Sequence, residues 1–484
     1  MVSSKRPLDD TANRLSSLNS YKDCNLYIAI TLCRFAKIRD IANFSSLPYK
    51  YKSLYFNMLC ELTKEFSNTT GFNEYLLDIK SKLKLDKVNR PTKGDKTTDK
   101  FYTVIKNLMP LYTLILESGY ILSLTDDFNI SKWINFTRKK FTLDLEIANH
   151  LEKILFSIKN KKIDILLDLY NSAGSFKYLQ ESIKFEVMAI IKILKYELLN
   201  IKHVAVISTM SSGKSTFINA LLGNEIFPET QAACTAKITS IYDNDDFNDI
   251  SGVALYKNKV VKTKISSDRN MAKIWNDDNN IDRIVFEGNL KNIFNHNQVV
   301  AIHDTPGTNF SSDEEHKKIT LNFLKDTKLD VVIFLINAMY AETNDLLDLL
   351  KQIFEITKNK NVQILFVLNK IDAIDTQRES LDEIIKNAKK FIQNIGFVDP
   401  ILIATSTKAA RLFKMALDNT AYKFSENEVD DFRIFLRKFA EEKNTYLKNC
   451  KIKIDAKEYF KEEISSALKN TDFHSIEKII NGGY

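Results

Sequence analysis

The stretch His203 to Leu222, HVAVISTMSSGKSTFINALL, constrains the fold more than any other part of the chain. His203 to Ile207 is a short apolar run of the kind that forms a buried strand, and Ser208 to Lys214 is a small-residue turn. A helix-forming segment follows from Ser215. Strand, tight turn and helix in that order aim backbone N–H groups and the positive end of a helix at one point, which suits an anion. Lys214 adds a point charge for the β/γ-phosphates of a nucleotide, and the Ser215 hydroxyl suits Mg²⁺. The usual pattern opens with glycine, whose place Ser208 takes here.

A chain of 484 residues has room for several domains around this loop. Its net charge of +7 is uneven: about +9 falls in residues 1–200 and about −2 in the remainder. Five cysteines are few, odd and not in C-x-x-C spacing, so they read as reduced core thiols of a cytosolic protein without a zinc framework. The opening MVSSKRPLDD has no apolar core of a signal peptide, and no run is long enough to span a bilayer cleanly.

Residues 1–20 read as a disordered polar tail. From 21 to 200 strand signals are nearly absent, and apolar residues recur at helical steps. Ile154, Ile158, Ile165 and Leu169 form one such face, and Val187, Ile190, Ile191, Leu194 and Leu198 another. The expectation is a bundle of five to seven helices. Within it, Lys80 to Lys100 carries eight basic residues with Pro91 and Gly94. It reads as a solvated linker, with acidic headgroups or nucleic acid as the alternative; without interleaved aromatics it serves base stacking poorly. Leu108 to Leu124 is the most apolar part, and Pro110 and Glu117-Ser118-Gly119 predict a buried helix–turn–helix hairpin rather than a membrane-dipping one.

From 201 onward the chain alternates strand and helix patterns. After the phosphate loop, Gly223 is a plausible helix stop, and Thr235 precedes a strand that begins near Lys237. A threonine at this place can ligate Mg²⁺ and hold a γ-phosphate. Strand-like runs follow at 253–256, 260–265 and 284–286. The strand Val299 to His303 ends in Asp304-Thr305-Pro306-Gly307, which puts a carboxylate at a sheet edge where Asp304 holds Mg²⁺ through water and the Gly307 N–H meets the γ-phosphate. The strand Val362 to Leu368 ends in Asn369-Lys370-Ile371-Asp372. A carboxylate at Asp372 can accept from guanine N1–H and N2–H₂, a donor pair that adenine lacks, so GTP is expected over ATP. Thr405-Ser406-Thr407 after the last strand is the degenerate place where backbone N–H groups meet guanine O6, and 410–470 reads as charged helix.

These motifs, in this order, resemble a guanine-nucleotide hydrolase of the phosphate-loop class. SSGKSTFINALLG, FPETQAACTAKIT and DTPGTNFSSDEEH are most similar to the dynamin family, in its bacterial dynamin-like branch. The resemblance covers about 200–480. The expected fold is α/β: a phosphate-loop GTPase domain over 201–484 with a mainly parallel sheet flanked by helices, a helical insertion at about 410–470, and a large all-α region before it. The resemblance implies that Ser211 helps to bind a monovalent cation and that Lys214 and Ser215 hold phosphate and Mg²⁺. It also implies that Thr235 positions the attacking water, that Asp304 and Gly307 read the γ-phosphate, and that Asn369, Lys370 and Asp372 bind the base. Met210, Ser212, Gly213, Thr216 and Ser406 complete the nucleotide contacts. The cofactors are then GTP or GDP, Mg²⁺ and a monovalent cation.

Met210 stands where dynamins often place a polar residue that orients water. Unaided turnover is therefore expected to be slow, about 10⁻⁴–10⁻² s⁻¹, with stimulation through head-to-head dimerisation. Dynamin stalks are built largely from helices after the nucleotide domain, whereas here the helices lie mainly before it. This argues against membrane remodelling by a self-contained stalk and for a partner, such as a second dynamin-like chain; the expected location is the cytoplasm, with the inner face of an acidic membrane as a peripheral site. Two other readings stay open: an RNA- or ribosome-associated GTPase, in which the basic N-terminal region meets phosphates, and a non-hydrolysing nucleotide-dependent scaffold.

Overall fold

The computed structural model describes residues 31, 34, 49–64, 76–77, 79–81, 85, 111–124, 128–143, 145–171, 181–209, 211–223, 227, 237–247, 250–257, 259–264, 271–291, 293, 298–307, 314–340, 343–375, 380–418, 424–440 and 458–482. Two compact units divide the chain: Met1–Leu199 with Asp249–Ser267, and Asn200–Asn248 with Asp268–Tyr484.

Helices dominate the first unit: α1 (Tyr49–Lys64), α2 (Leu111–Ser123), α3 (Ile130–Phe141), α4 (Leu145–Lys159), α5 (Ile163–Asn171) and α6 (Glu181–Glu197). Its core gathers Trp133, Leu151, Ile154, Leu155, Ile158, Val187, Ile190, Ile191 and Leu194 from their inner faces. Helical spacing alone puts these side chains on one stripe per helix, and removing that stripe from water supplies the drive to pack. Leu198 falls just beyond α6 and is exposed, because the helical stripe ends with the helix. An antiparallel hairpin, Ser251–Tyr256 with Lys259–Lys264, belongs to the same unit.

One expectation is corrected here. Glu117-Ser118-Gly119 does not break the apolar stretch: α2 runs through it without a turn. Ser118 stays helical by donating its hydroxyl to Leu114 O at 2.6 Å and Ile115 O at 3.1 Å, so its polar group is satisfied inside the helix. Gly119 serves packing rather than a turn, since a Cβ there would stand 2.7 Å from Leu155 Cδ1 and 2.9 Å from Trp133 Cζ3. The basic stretch 80–100, apart from Lys80, Ser81 and Leu85, and the tail 1–20 lie outside the described residues.

In chain order the strands are β1 (Asn200–Ser208), β2 (Ile238–Asp243), β3 (Ser251–Tyr256), β4 (Lys259–Lys264), β5 (Arg283–Gly288), β6 (Gln298–Asp304), β7 (Val331–Asn337), β8 (Gln363–Asn369) and β9 (Ile401–Thr405). The second unit holds seven of them, side by side as β5-β2-β6-β1-β7-β8-β9. Every neighbouring pair in that series is parallel except β2 with β6. The sheet is thus mixed but mainly parallel. Val331 to Asn337 is buried at every position, which is how a central strand covered on both faces must read.

The flanking helices are α7 (Lys214–Leu222), α8 (Met271–Asp277), α9 (Glu314–Asp326), α10 (Asn344–Thr357), α11 (Leu381–Ile395), α12 (Thr407–Leu417), α13 (Glu426–Phe439), α14 (Glu458–Asn470) and α15 (Phe473–Ile480). The charged tract expected over 410–470 is therefore most of α12 plus α13 and α14, with residues 441–457 outside the described set. Phe334, Phe366, Phe413, Phe432, Phe435 and Leu436 tie these helices to the sheet in one core.

Helix ends leave carbonyls without intrahelical partners, and lysines close several of them. Lys202 Nζ donates to Ile479 O and Ile480 O at the end of α15, at 2.9 and 2.8 Å. Lys360 Nζ does the same for Leu324 O and Lys325 O in the last turn of α9, at 2.6 and 2.7 Å. Lys237, buried just before β2, meets Trp275 O, Asn276 O and Asp278 O at the end of α8. A cation there also opposes the negative end of the helix dipole.

Candidate nucleotide-binding site

Register brings the chain's sequence motifs to one edge. β1, β6, β7, β8 and β9 run parallel, with Val206 opposite Asp304, Asn337 opposite Asn369, and Asn369 opposite Thr405. Their carboxyl ends therefore share one side of the sheet, and each opens into a turn that carries a motif. This is the place where open α/β sheets receive ligands.

The loop after β1 is shaped by two left-handed residues, Ser211 at φ 58° and Gly213 at φ 88°. Ser212, 1% exposed, braces it by donating its hydroxyl to Thr209 O at 2.6 Å. Gly213 is required twice over: its φ suits glycine, and a Cβ would fall 2.6 Å from Asn369 Nδ2. α7 begins at Lys214, one residue earlier than Ser215, and ends at Gly223 with φ 63°. The free N–H groups of its first turn, Ser215 and Thr216 among them, open toward the loop.

Lys214 does not point to solvent. Its ammonium donates to the Asp304 carboxylate, and both side chains are buried. Thr305 follows, with its hydroxyl on Val206 O at 2.9 Å, and Thr320 of α9 donates to Pro306 O at 3.1 Å. The Asp304–Gly307 turn is thereby fixed to β1 on one side and to α9 on the other. At Gly307 an added Cβ would meet nothing within 4 Å among the described residues.

Asn369 at the end of β8 is 1% exposed. Its Nδ2 donates to Ser212 O at 2.6 Å, and its Oδ1 accepts from Thr407 N at 3.0 Å. The sequence reading gave Asn369 to the base. In the structure its amide ties the phosphate loop to the loop after β9. Lys370 takes the left-handed conformation at φ 68°, and a short 3-10 turn, Ile371–Ala373, presents Asp372. Ser406, itself buried, donates its hydroxyl to Asp372 Oδ1 and accepts from Ala409 N at the start of α12. One carboxylate oxygen is held, and the group is oriented by a fixed neighbour.

The structure thus draws Ser211, Ser212, Gly213, Lys214, Asp304, Asn369, Asp372 and Ser406 into one cross-linked set of turns. Met210 and Thr235 lie outside the described residues. Three contributors escaped sequence reasoning: Thr305, Thr320 and Asn337. Asn337 Nδ2 donates to Ser211 O at 3.4 Å, and its Oδ1 caps Met339 N at 3.0 Å. An asparagine ending an apolar strand was the only visible signal of that role.

The model for the dynamin family matches residues 204–371, from β1 to the first residue of the 3-10 turn after β8. Residues 204–371 belong to the dynamin family. No curated protein sequence matches the chain. Among solved structures, the chain is similar to two of an oligomerised bacterial dynamin pair that provides a mechanism for the long-range sensing and tethering of membranes. The first is 15% identical with a TM-score of 0.35, covering 92% of this chain and 70% of that one. The second is 16% identical with a TM-score of 0.36, covering 92% and 73%. The G domain of the T. maritima FeoB iron transporter is 17% identical with a TM-score of 0.24, covering 43% and 89%.

The donor set of the dynamin-family segment suits magnesium. Asp304 and Ser215 are hard oxygen donors, and no cluster of three or more His, Cys, Asp or Glu occurs among the described residues. Mg²⁺ is characteristically held by one or two such protein oxygens together with nucleotide phosphates and water, not by an all-protein cage.

Proposed function

We propose that the dynamin-family unit binds GTP with Mg²⁺ and hydrolyses it to GDP and phosphate. The observation that carries this reading is the meeting of Lys214, Asp304 and Asp372 along one sheet edge, in turns joined through Asn369 and Ser406. A cation, a metal-directed carboxylate and a purine-directed carboxylate at one edge suit a nucleoside triphosphate and little else.

Lys214 exchanges Asp304 for the β/γ-phosphates, and the N–H groups at the start of α7 cradle the same oxygens. Ser215, Asp304 and Thr235 would hold the magnesium. When bound, that ion neutralises charge that develops on the β- and γ-oxygens. Thr235 and the Gly307 N–H orient water against the γ-phosphorus, where a new P–O bond forms as the bond to the β–γ bridging oxygen breaks. Ser211 serves a monovalent cation. Asp372 accepts from guanine N1–H and N2–H₂, and Lys370 and Ser406 border the base.

Because Met210 offers no hydrogen bond to water, turnover by a dilute chain is slow and rises when nucleotide domains pair. Nucleotide-dependent pairing then moves the helical region at the cytoplasmic face of an acidic membrane, alone or with a second dynamin-like chain. The +9 balance of residues 1–200 supports the membrane. Among the described residues no helix is long and apolar enough to cross one. The decisive experiment measures GTP and ATP turnover against protein concentration, with and without acidic liposomes. Specific activity for GTP should climb with concentration. Equal use of ATP, or fast turnover independent of concentration, would sink the proposal.

A further inference from the structure

Asp372 can discriminate a purine only if the short turn that bears it is stiff. The turn Ile371–Ala373 is a single 3-10 turn, closed by backbone bonds from Ala373 N to Lys370 O and from Ile374 N to Ile371 O, and its later carbonyls lack partners in the turn itself. Two of its carbonyls and that of Ile374, which follows it, converge on one side chain. Lys438 Nζ donates to Ile371 O at 3.3 Å, Asp372 O at 2.8 Å and Ile374 O at 2.9 Å. An ammonium has three N–H donors, and here each finds one of these carbonyls.

Lys438 lies in the last turn of α13, outside the residues that match the dynamin model. That helix is firmly seated. Ser425 and Glu428 form a capping box at its start, and Phe432, Phe435, Leu436 and Phe439 are buried in the core. It is also clamped to α12, the helix that Ser406 caps: Arg411 pairs with Glu428 and Lys408 with Asp431. The two turns that border the base site are consequently held by one helix, the first through Lys438 and the second through α12.

We infer that Lys438 is a specificity-determining residue, which fixes the Asp372 turn in the geometry that reads the purine edge. This rests on the assignment of Asp372 to guanine above. Lys438 is a positioning residue: it acts through the backbone, and its own charge does not face the base.

The test compares GTP with ITP, which lacks the 2-amino group, by calorimetric titration of the full chain in Mg²⁺. The variants are Lys438→Met, Lys438→Arg and Lys360→Met, the last removing an analogous lysine cap from α9, away from the base. Lys438→Met should weaken GTP binding about ten-fold or more and cut the GTP:ITP preference at least five-fold. Lys438→Arg should keep the preference within two-fold of the parent, and Lys360→Met should leave it unchanged. An unchanged preference in Lys438→Met, or an equal loss for both nucleotides, overturns the inference. If the parent chain itself fails to prefer GTP over ATP, it is the assignment of function that fails.

Discussion

Lys214 and Asp304, ninety residues apart in the chain, form a buried ion pair between the start of α7 and the end of β6. Such a pair compensates two costly desolvations, so removal of one member leaves the other charged and alone. Lys214→Met should abolish GTP turnover and destabilise the unit by about 3–5 kcal/mol. Lys214→Met/Asp304→Asn should recover much of that stability and none of the turnover. Urea unfolding beside a phosphate-release assay separates the two effects; additive losses in the double variant would mean that the pair does not act as a unit.

Asn369 reaches Ser212 O and Thr407 N with opposite ends of one amide. Asn369→Asp keeps an acceptor for Thr407 N but loses the donor to Ser212 O. Asn369→Ala loses both and leaves buried backbone groups unsatisfied, at about 1–3 kcal/mol each. Both variants should bind GTP more weakly, Asn369→Asp should melt lower than Asn369→Ala because its buried carboxylate would face Ser212 O, and thermal scans with nucleotide titrations check the order. A stable Asn369→Ala with parental affinity would remove the tether from the account.

These contacts mark what sequence could and could not convey. The order of motifs and the apolar strand runs disclose the sheet edge, because burial on both faces and turn chemistry are local properties. The Asn369 tether and the Lys438 cap are not local: each depends on where a distant helix or loop lies in space. The resemblance assigned Asn369 to the base, and its place in the motif could not show that its amide also joins two loops. Glu117-Ser118-Gly119 failed for a related reason. Ser118 and Gly119 are weak helix formers, yet the close approach of Trp133 and Leu155 makes a helix with no side chain at Gly119 the better-packed solution.

Gly119→Ala tests that packing. Alanine in a helix interior gains up to about 1 kcal/mol over glycine by propensity. Here the added methyl meets Trp133, which is fully buried, and overpacking costs about 1–3 kcal/mol. The net expectation is destabilisation of the helical unit without loss of GTP turnover. A rise in melting temperature would show that Trp133 yields easily.

Asp243, at the end of β2, has its carboxyl pushed up to about 8, chiefly by burial and further by Asp245 and Glu287. A raised carboxyl favours folding only while protonated in the unfolded chain as well, and that advantage is lost as pH climbs toward 8. Asp243→Asn retains the acceptor for Leu290 N at 2.8 Å. The variant should therefore be more stable than the parent at pH 8, by on the order of a few kcal/mol, and no more stable at pH 4. Unfolding free energies at the two pH values give the answer.

His203 and His303 set the opposite pH limit. Their rings stack at 5.2 Å, with Nδ1 of His203 2.9 Å from Nε2 of His303, whose Nδ1 lies 2.8 Å from Ser240 Oγ. His203 Nε2 has no hydrogen-bond partner among the described residues. The arrangement that leaves a bare acceptor there, instead of a stranded N–H, has His203 Nδ1–H donating to His303 Nε2 and His303 Nδ1–H donating to Ser240. Both rings are then neutral, and a further proton would put two N–H groups face to face or strand one in the core. Burial lowers both pKa values first, and it drives His303 well below the usual range. For a depressed histidine, stability is complete above the unfolded value of about 6.5 and drains away as pH falls below it. Between pH 7 and 5.5 the parent should lose up to about 1.4 kcal/mol per pH unit for each histidine that must take up a proton on unfolding. His203→Gln/His303→Gln, which keeps a donor and an acceptor at each position, should be less stable at pH 7 but much flatter across that range. Parallel pH curves for the two proteins would show that acid weakens the fold elsewhere.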